Sequence, residues 1–216
     1  ELLPFILAHK NTLKFINISG GEPLIADANL KFLSWMIAND LTNFTLNYST
    51  NLSKLVHKGV NTLELLKQFK HVNLAVSVDG YGKDVEYSRS GFSWDAFVQN
   101  IKDVKKYNIS CFLNCVVNIY SVYSIPQLAQ FAQKNNLTLV TQHCLNPIFL
   151  SIQSLPKVEK DKIVKFYKKV KGTNLIKNFD YFEKNIIDYM LKEQLDTFSY
   201  KGANASPFNE TYSCNK

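Results

Sequence analysis

Three polar clusters in this sequence each close an apolar run, and each carries residue types able to hold a small charged ligand. The first is Ser19-Gly20-Gly21-Glu22-Pro23. Adjacent glycines let the backbone come close to a bound group. Glu22 sets a carboxylate beside exposed amides, which suits an ammonium, and Pro23 stiffens the turn. Gly-Gly alone is the mark of any glycine-rich turn; the longer run at the end of a strand is more specific. The second cluster is Ser49-Thr50-Asn51, three hydrogen-bonding residues whose plainest role is to cap a helix. The third is Ser77-Val78-Asp79-Gly80, in which Ser77 and Asp79 share one face of an extended chain. Asp before Gly is a common turn pair, and the same carboxylate suits a hydroxyl or an ammonium. Arg89 follows in the same loop and is the chain's single arginine; the other 24 of its 25 basic residues are lysine. The planar guanidinium fork grips a carboxylate with two parallel bonds, as lysine cannot.

Alternating elements are needed to bring these clusters together. Apolar residues recur with period two over 13–18, 43–49, 72–78, 109–117 and 137–142, which predicts strands. Helical spacing covers 27–39, 62–69, 93–106, 124–134, 157–171 and 179–195. Asp27 and Ser93 stand where helix caps belong, Asn61 and Glu64 form a capping pair, and Gly172 is placed to stop a helix. Repeated β-α units imply a parallel sheet with right-handed crossovers. The strands have two unlike faces: Thr45, Asn47 and Ser49 oppose Phe44, Leu46 and Tyr48, and Asn73, Ala75 and Ser77 oppose Val72, Leu74, Val76 and Val78. A doubly wound sheet buries both faces, so the pattern suits a barrel with a polar interior, working at the C-terminal strand ends. The expected division is a barrel over 1–172 and a helical extension over 173–216; residues 196–216 show no clear period.

Composition bounds the function. A chain of 216 residues holds one sizeable core. The net charge of +7 comes largely from lysines between Lys157 and Lys177, interleaved with Val158, Ile163, Phe166 and Val170 as on a solvated amphipathic helix. No nucleic-acid partner is expected from it, and no apolar run approaches a membrane span. The opening Glu1-Leu2-Leu3-Pro4 lacks a basic leader and reads as the tail of a helix that begins earlier. Cys111, Cys115, Cys144 and Cys214 do not form a secreted disulfide framework in a chain this long. Triplets of the Asn-x-Ser/Thr kind at Asn43 and Asn47 follow from a high asparagine content. A reducing cytoplasm is the expected setting.

Taken in order on successive β-α units, Ser-Gly-Gly-Glu-Pro, Ser-Thr-Asn and Ser-Val-Asp-Gly with a downstream arginine resemble the radical S-adenosylmethionine (SAM) superfamily, over about residues 13 to 170. The flavour is that of its peptide-modifying branch with a SPASM or twitch extension, which the segment Asn146 to Pro156 also resembles. The resemblance implies a partial (β/α)6 TIM-like barrel, here without its first strand. It implies an enzyme in which a [4Fe-4S] cluster binds SAM and cleaves it reductively. The resulting 5′-deoxyadenosyl radical abstracts hydrogen from a substrate, here a peptide or protein. An electron donor such as a flavodoxin or ferredoxin is implied as a partner. By motif, Gly20, Gly21 and Glu22 hold the methionine amino group, Pro23 belongs to the same cofactor-binding turn, and Ser77, Asn51 and Asp79 meet SAM polar groups. Arg89 pairs with the SAM carboxylate, Asn118 reaches the ribose, and the backbone of 144–146 lies near adenine.

The family's Cys-x-x-x-Cys-x-x-Cys loop belongs upstream of Gly-Gly-Glu-Pro, yet no cysteine precedes Cys111. Cys111 and Cys115 sit inside a strand on one apolar face with Leu113 and Val117 and read as small buried hydrophobes. His9, His57, His71 and His143 have no metal-ligand spacing, and only His143 falls near a strand end of interest. The expectation is a fragment inactive by itself, with cluster ligands in a preceding segment. Two alternatives stand beside it: a module without a cluster that binds SAM or a peptide, and a non-iron barrel enzyme using Glu22 and Asp79 as acid and base.

Overall fold

A computed structural model of the chain describes residues 2–173 and 175–192. Its order follows the β-α reading: α1 (Leu2–Ala8), β1 (Phe15–Ile18), α2 (Asp27–Ala38), β2 (Thr45–Thr50), β3 (Val56–His57), β4 (Val60–Asn61), α3 (Thr62–Leu66), β5 (His71–Ser77), α4 (Lys83–Ser88), α5 (Trp94–Lys106), β6 (Ser110–Val117), α6 (Ile125–Lys134), β7 (Leu139–His143), α7 (Lys157–Lys171) and α8 (Phe179–Leu191). Five strands form one sheet in the order β1-β2-β5-β6-β7, with β1–β2, β2–β5 and β5–β6 paired in parallel. The chain is therefore α/β with a parallel sheet, as its alternation requires. The sheet is not closed: β1 and β7 are its two edges. Contacts divide the chain into two compact units that meet in sequence at Cys115 and Val116.

In the first unit the period-two reading holds for β2 and β5, except that Ala75 on the polar face is buried. Leu46 and Tyr48 of β2 and Leu74 and Val76 of β5 are fully buried, while Thr45, Asn47, Asn73 and Ser77 on the other face stay accessible. Helices cover the apolar face: Leu33 and Met36 from α2, Leu63 and Leu66 from α3, and Phe97, Ile101 and Val104 from α5 are all buried. The last three fall at i, i+4 and i+7, one stripe of a helix. Ser93 caps α5 by accepting from the Ala96 amide, and Asn61 caps α3 by accepting from the Leu63 amide. Two cap expectations are corrected. Asp27 is the first residue of α2 rather than its cap, because its carboxylate is taken by His57 and Lys58 across the chain. Glu64 reaches Lys67 and Tyr107 instead of the backbone of Asn61. The hairpin β3–β4 turns through Lys58 and Gly59, both at positive φ (49° and 79°), which is the backbone a two-residue hairpin turn demands.

The second unit holds the end of β6, then α6, β7, α7 and α8. The Cys144 amide donates to the Val117 carbonyl at 3.1 Å. Tyr167 of α7 is fully buried and donates to the Val122 carbonyl at 2.7 Å, and its ring stacks with Phe179 at the start of α8. Gly172 ends α7 as expected, but with ordinary right-handed backbone (φ −60°), so the stop does not depend on glycine's freedom. Residues 193–216, including Cys214 and the stretch without period, lie outside the described residues. No described helix is long and apolar enough to cross a membrane.

Candidate functional site

The three clusters do lie at the C-terminal ends of successive parallel strands, β1, β2 and β5. Gly20 has φ +122°, a backbone that side chains rarely adopt, and a Cβ added at Gly20 or Gly21 would meet nothing within 4 Å. Both glycines are exposed, and neither makes a backbone hydrogen bond among the described residues. The turn is thus bare main chain facing open space, the property two glycines confer.

Glu22 does not point into that space. One carboxylate oxygen accepts from the Leu24 amide (3.2 Å) and the Thr50 hydroxyl, the other from the Asn51 amide (2.8 Å). It caps the 3-10 helix Pro23–Ile25, which opens with a proline whose missing N–H costs nothing there. The side chain therefore ties the end of β1 to the end of β2, and its charge is satisfied within the protein. Thr50, 2% exposed, completes the tie by accepting from the Leu52 amide. The sequence marks Thr50 as part of a polar cluster whose plainest role is a helix cap; its partner Glu22 lies 28 positions away. Asn51 accepts from the Ser53 amide at 2.8 Å in a local turn.

Asp79 and Arg89 form the second feature. Arg89 donates from Nε (2.9 Å) and one terminal nitrogen (2.6 Å) to a single Asp79 oxygen, with side chains 30% and 19% exposed. The other terminal nitrogen has no partner among the described residues. Asp79 thus fixes the fork with one edge unspent. Ser77 is half-buried, and its hydroxyl has no hydrogen bond among the described residues. Glu22 and Asp79 are both bound to donors, so neither is a free acid or base as it stands.

Asn118 belongs to the second unit. Its side chain accepts from the Tyr120 and Ser121 amides and so shapes the entry to α6. In the same unit His143 is half-buried and stacks on Tyr189 with 3.7 Å between ring centres, while Nε2 lies 2.6 Å from the Asn185 carbonyl oxygen. Burial lowers its pKa from 6.5, only partly offset by that bond. Its buried Nδ1 has no partner. Tyr189 also meets the Ser151 hydroxyl and the Cys144 carbonyl. Periodicity singles out His143 but cannot show that α8 brings Asn185 and Tyr189 to it.

The thiols of Cys111 and Cys115 are pushed up in pKa by burial, Cys115 strongly. No group of three or more His, Cys, Asp or Glu able to hold a metal exists among the described residues. These residues do not supply the ligand set of an iron–sulfur cluster. They do fit the polar end of SAM, because the bare Gly20–Gly21 turn offers carbonyls and room for an ammonium.

No protein-family model matches the chain, and no curated protein matches it. Solved structures do. The structure titled "Native anSMEcpe with bound AdoMet" aligns with TM-score 0.54 at 17% identity, over 86% of this chain and 50% of that one. The likeness is one of fold. Streptococcus suis SuiB bound to precursor peptide SuiA gives TM-score 0.52 at 17% identity, over 74% of this chain and 36% of that one. Native anSMEcpe with bound AdoMet and the Kp18Cys peptide gives 0.51 at 17%, over 85% and 56%. The chain spans between 36% and 56% of the length of these three structures.

Proposed function

We propose that this chain is the SAM-binding core of a radical SAM enzyme of the partial-barrel type that acts on a peptide or protein. The observation that carries the reading is the Gly20–Pro23 turn, a bare main-chain cradle at a parallel strand end whose one carboxylate is turned inward. The resemblance in motifs points the same way. So does the likeness in fold to structures holding AdoMet and, in two cases, a peptide.

In this reading the Gly20 and Gly21 carbonyls accept from the SAM ammonium, and Glu22 acts by holding the turn in shape against β2. Pro23 fixes the exit of the turn. Arg89, oriented by Asp79, offers its free edge to the SAM carboxylate, and Ser77 supplies a hydroxyl at the neighbouring strand end. Asn51 reaches a polar group of the ligand. Bound SAM, once reductively cleaved, supplies a radical that removes hydrogen from substrate. A [4Fe-4S] cluster held elsewhere in the protein, a SPASM or twitch region, a flavodoxin or ferredoxin as donor and a cytoplasmic setting complete the proposal.

The acid–base alternative requires Glu22 and Asp79 to exchange protons with a substrate, and both are engaged by fixed donors. The test is anaerobic incubation with dithionite and SAM, assayed for 5′-deoxyadenosine. The protein made from its whole reading frame, reconstituted with iron and sulfide, is expected to form it, and residues 1–216 alone are not. Formation by residues 1–216 alone, or none by the reconstituted protein, contradicts the reading.

A further inference from the structure

One feature of the first unit is used neither by the motifs nor by the cofactor turn. Asn17, Asn47 and Asn73 occupy the same row of three adjacent parallel strands, β1, β2 and β5. Their side chains form a one-way chain: Asn73 Nδ2 donates to Asn47 Oδ1 at 2.9 Å, and Asn47 Nδ2 donates to Asn17 Oδ1 at 2.9 Å. The chain has two open ends among the described residues, the Asn73 carbonyl oxygen and the Asn17 amide nitrogen. The next strand, β6, places Ser110 in this row. A serine is too short to continue a carboxamide ladder, so the row stops at Asn73, whose carbonyl oxygen has no protein partner among the described residues. The ladder is open to solvent, with Asn17 and Ser110 exposed and Asn47 and Asn73 half-buried.

The surroundings define what this row can recognise. Above it on the same face stand Ser49, Ala75 and Phe112, then Ser77 and Asn114. This stretch of the face carries no charge between His71 below, in the row Phe15–Thr45–His71, and Asp79 with its bound Arg89 beyond Ser77. It offers donors and acceptors in equal measure, the pattern of an amide. Hydrogen-bonded amides polarise one another, so an incoming amide that extends the chain binds better than an isolated pair. Asn17 lies three residues before Gly20, about 10 Å along the strand, so a bound peptide would lie within a few residues of the cofactor turn.

We propose that the Asn17–Asn47–Asn73 ladder is a peptide-binding row that engages the backbone amides of an uncharged substrate segment. This rests on the reading of the chain as a SAM-dependent enzyme acting on a peptide, and it names the residues that would hold that peptide. An ester in place of the amide lacks the N–H that the Asn73 oxygen needs.

The test uses the capped neutral tetrapeptide acetyl-Ala-Gly-Ala-Gly-amide and its analogue with the two central amides replaced by esters. Both are titrated into the protein made from its whole reading frame, with SAM affinity followed in the same samples. The peptide is expected to shift the side-chain NH2 resonances of Asn17 and Asn47 in 1H–15N spectra. It should bind about tenfold more tightly than the ester, as one or two lost hydrogen bonds imply. Asn73→Ser should abolish that preference, whereas Asn17→Ala at the exposed edge, where folding is least at risk, should weaken peptide and ester alike. Both variants should leave SAM affinity unchanged. Equal binding of peptide and ester, or variants that lower only the melting temperature, would show a ladder that merely staples the sheet and would overturn the proposal. Peptide discrimination without SAM binding would sustain the ladder and sink the cofactor reading; SAM binding without discrimination does the reverse.

Discussion

Glu22 shows at the scale of one residue how a motif can serve a site without pointing into it. A glutamate after two glycines suggests a carboxylate offered to a cation. The folded chain instead spends that carboxylate on two amides and a threonine hydroxyl, all within the protein. The ligand-facing groups are then the peptide carbonyls that the glycines leave bare. The partners could not be read from the sequence, because Thr50 lies 28 positions away and only strand pairing brings it near. This assignment has a stability consequence. Glu22→Gln keeps the size but turns one acceptor into a donor facing donors. It should destabilise the protein by about 1–3 kcal/mol, read as a lower urea midpoint with unchanged slope. An unchanged midpoint would mean that the carboxylate does not hold the turn.

Helices and strands with several turns or several alternating pairs were legible, because burial imposes one period over enough residues to be seen. The strand over β6 and the helix over α5 were both placed within a residue or so. The two-residue strands β3 and β4 and the six-residue α4 are too short to show a period, and they were not foreseen. The junction of β7 with α8 was missed for another reason: His143, Asn185 and Tyr189 are brought together by tertiary packing alone. That junction predicts a pH dependence. Burial lowers the His143 pKa below 6.5, so the unfolded chain binds the proton more readily than the folded one. The His143 contribution is therefore fully present above 6.5 and falls as pH drops from 6.5 toward the lowered value. Denaturation midpoints between pH 7.5 and 5 should fall more steeply in the wild type than in His143→Gln. Parallel curves would show that this histidine titrates as an exposed one.

Across the whole molecule, the α/β class and the parallel pairing followed from the alternation of periods. The division of strands into a polar and an apolar face followed from β2 and β5 alone. What the sequence could not supply was closure, since an open edge at β1 and at β7 depends on which strands are present to pair. Nor could it show that the polar face carries three asparagines in one row, because register is a tertiary property. The central claim is that the bare turn at Gly20 and Gly21 receives the amino-acid end of SAM. The most direct measurement is calorimetric titration of SAM into wild-type protein, made from its whole reading frame, and into Gly21→Val. Gly21 has ordinary backbone, and a Cβ there meets nothing within 4 Å, so the variant should fold with little change in melting temperature. Its side chain would stand in the ligand's space. We predict at least a tenfold loss of SAM affinity, ~1.4 kcal/mol or more. Equal affinity in the two proteins, with both folded, would contradict the account.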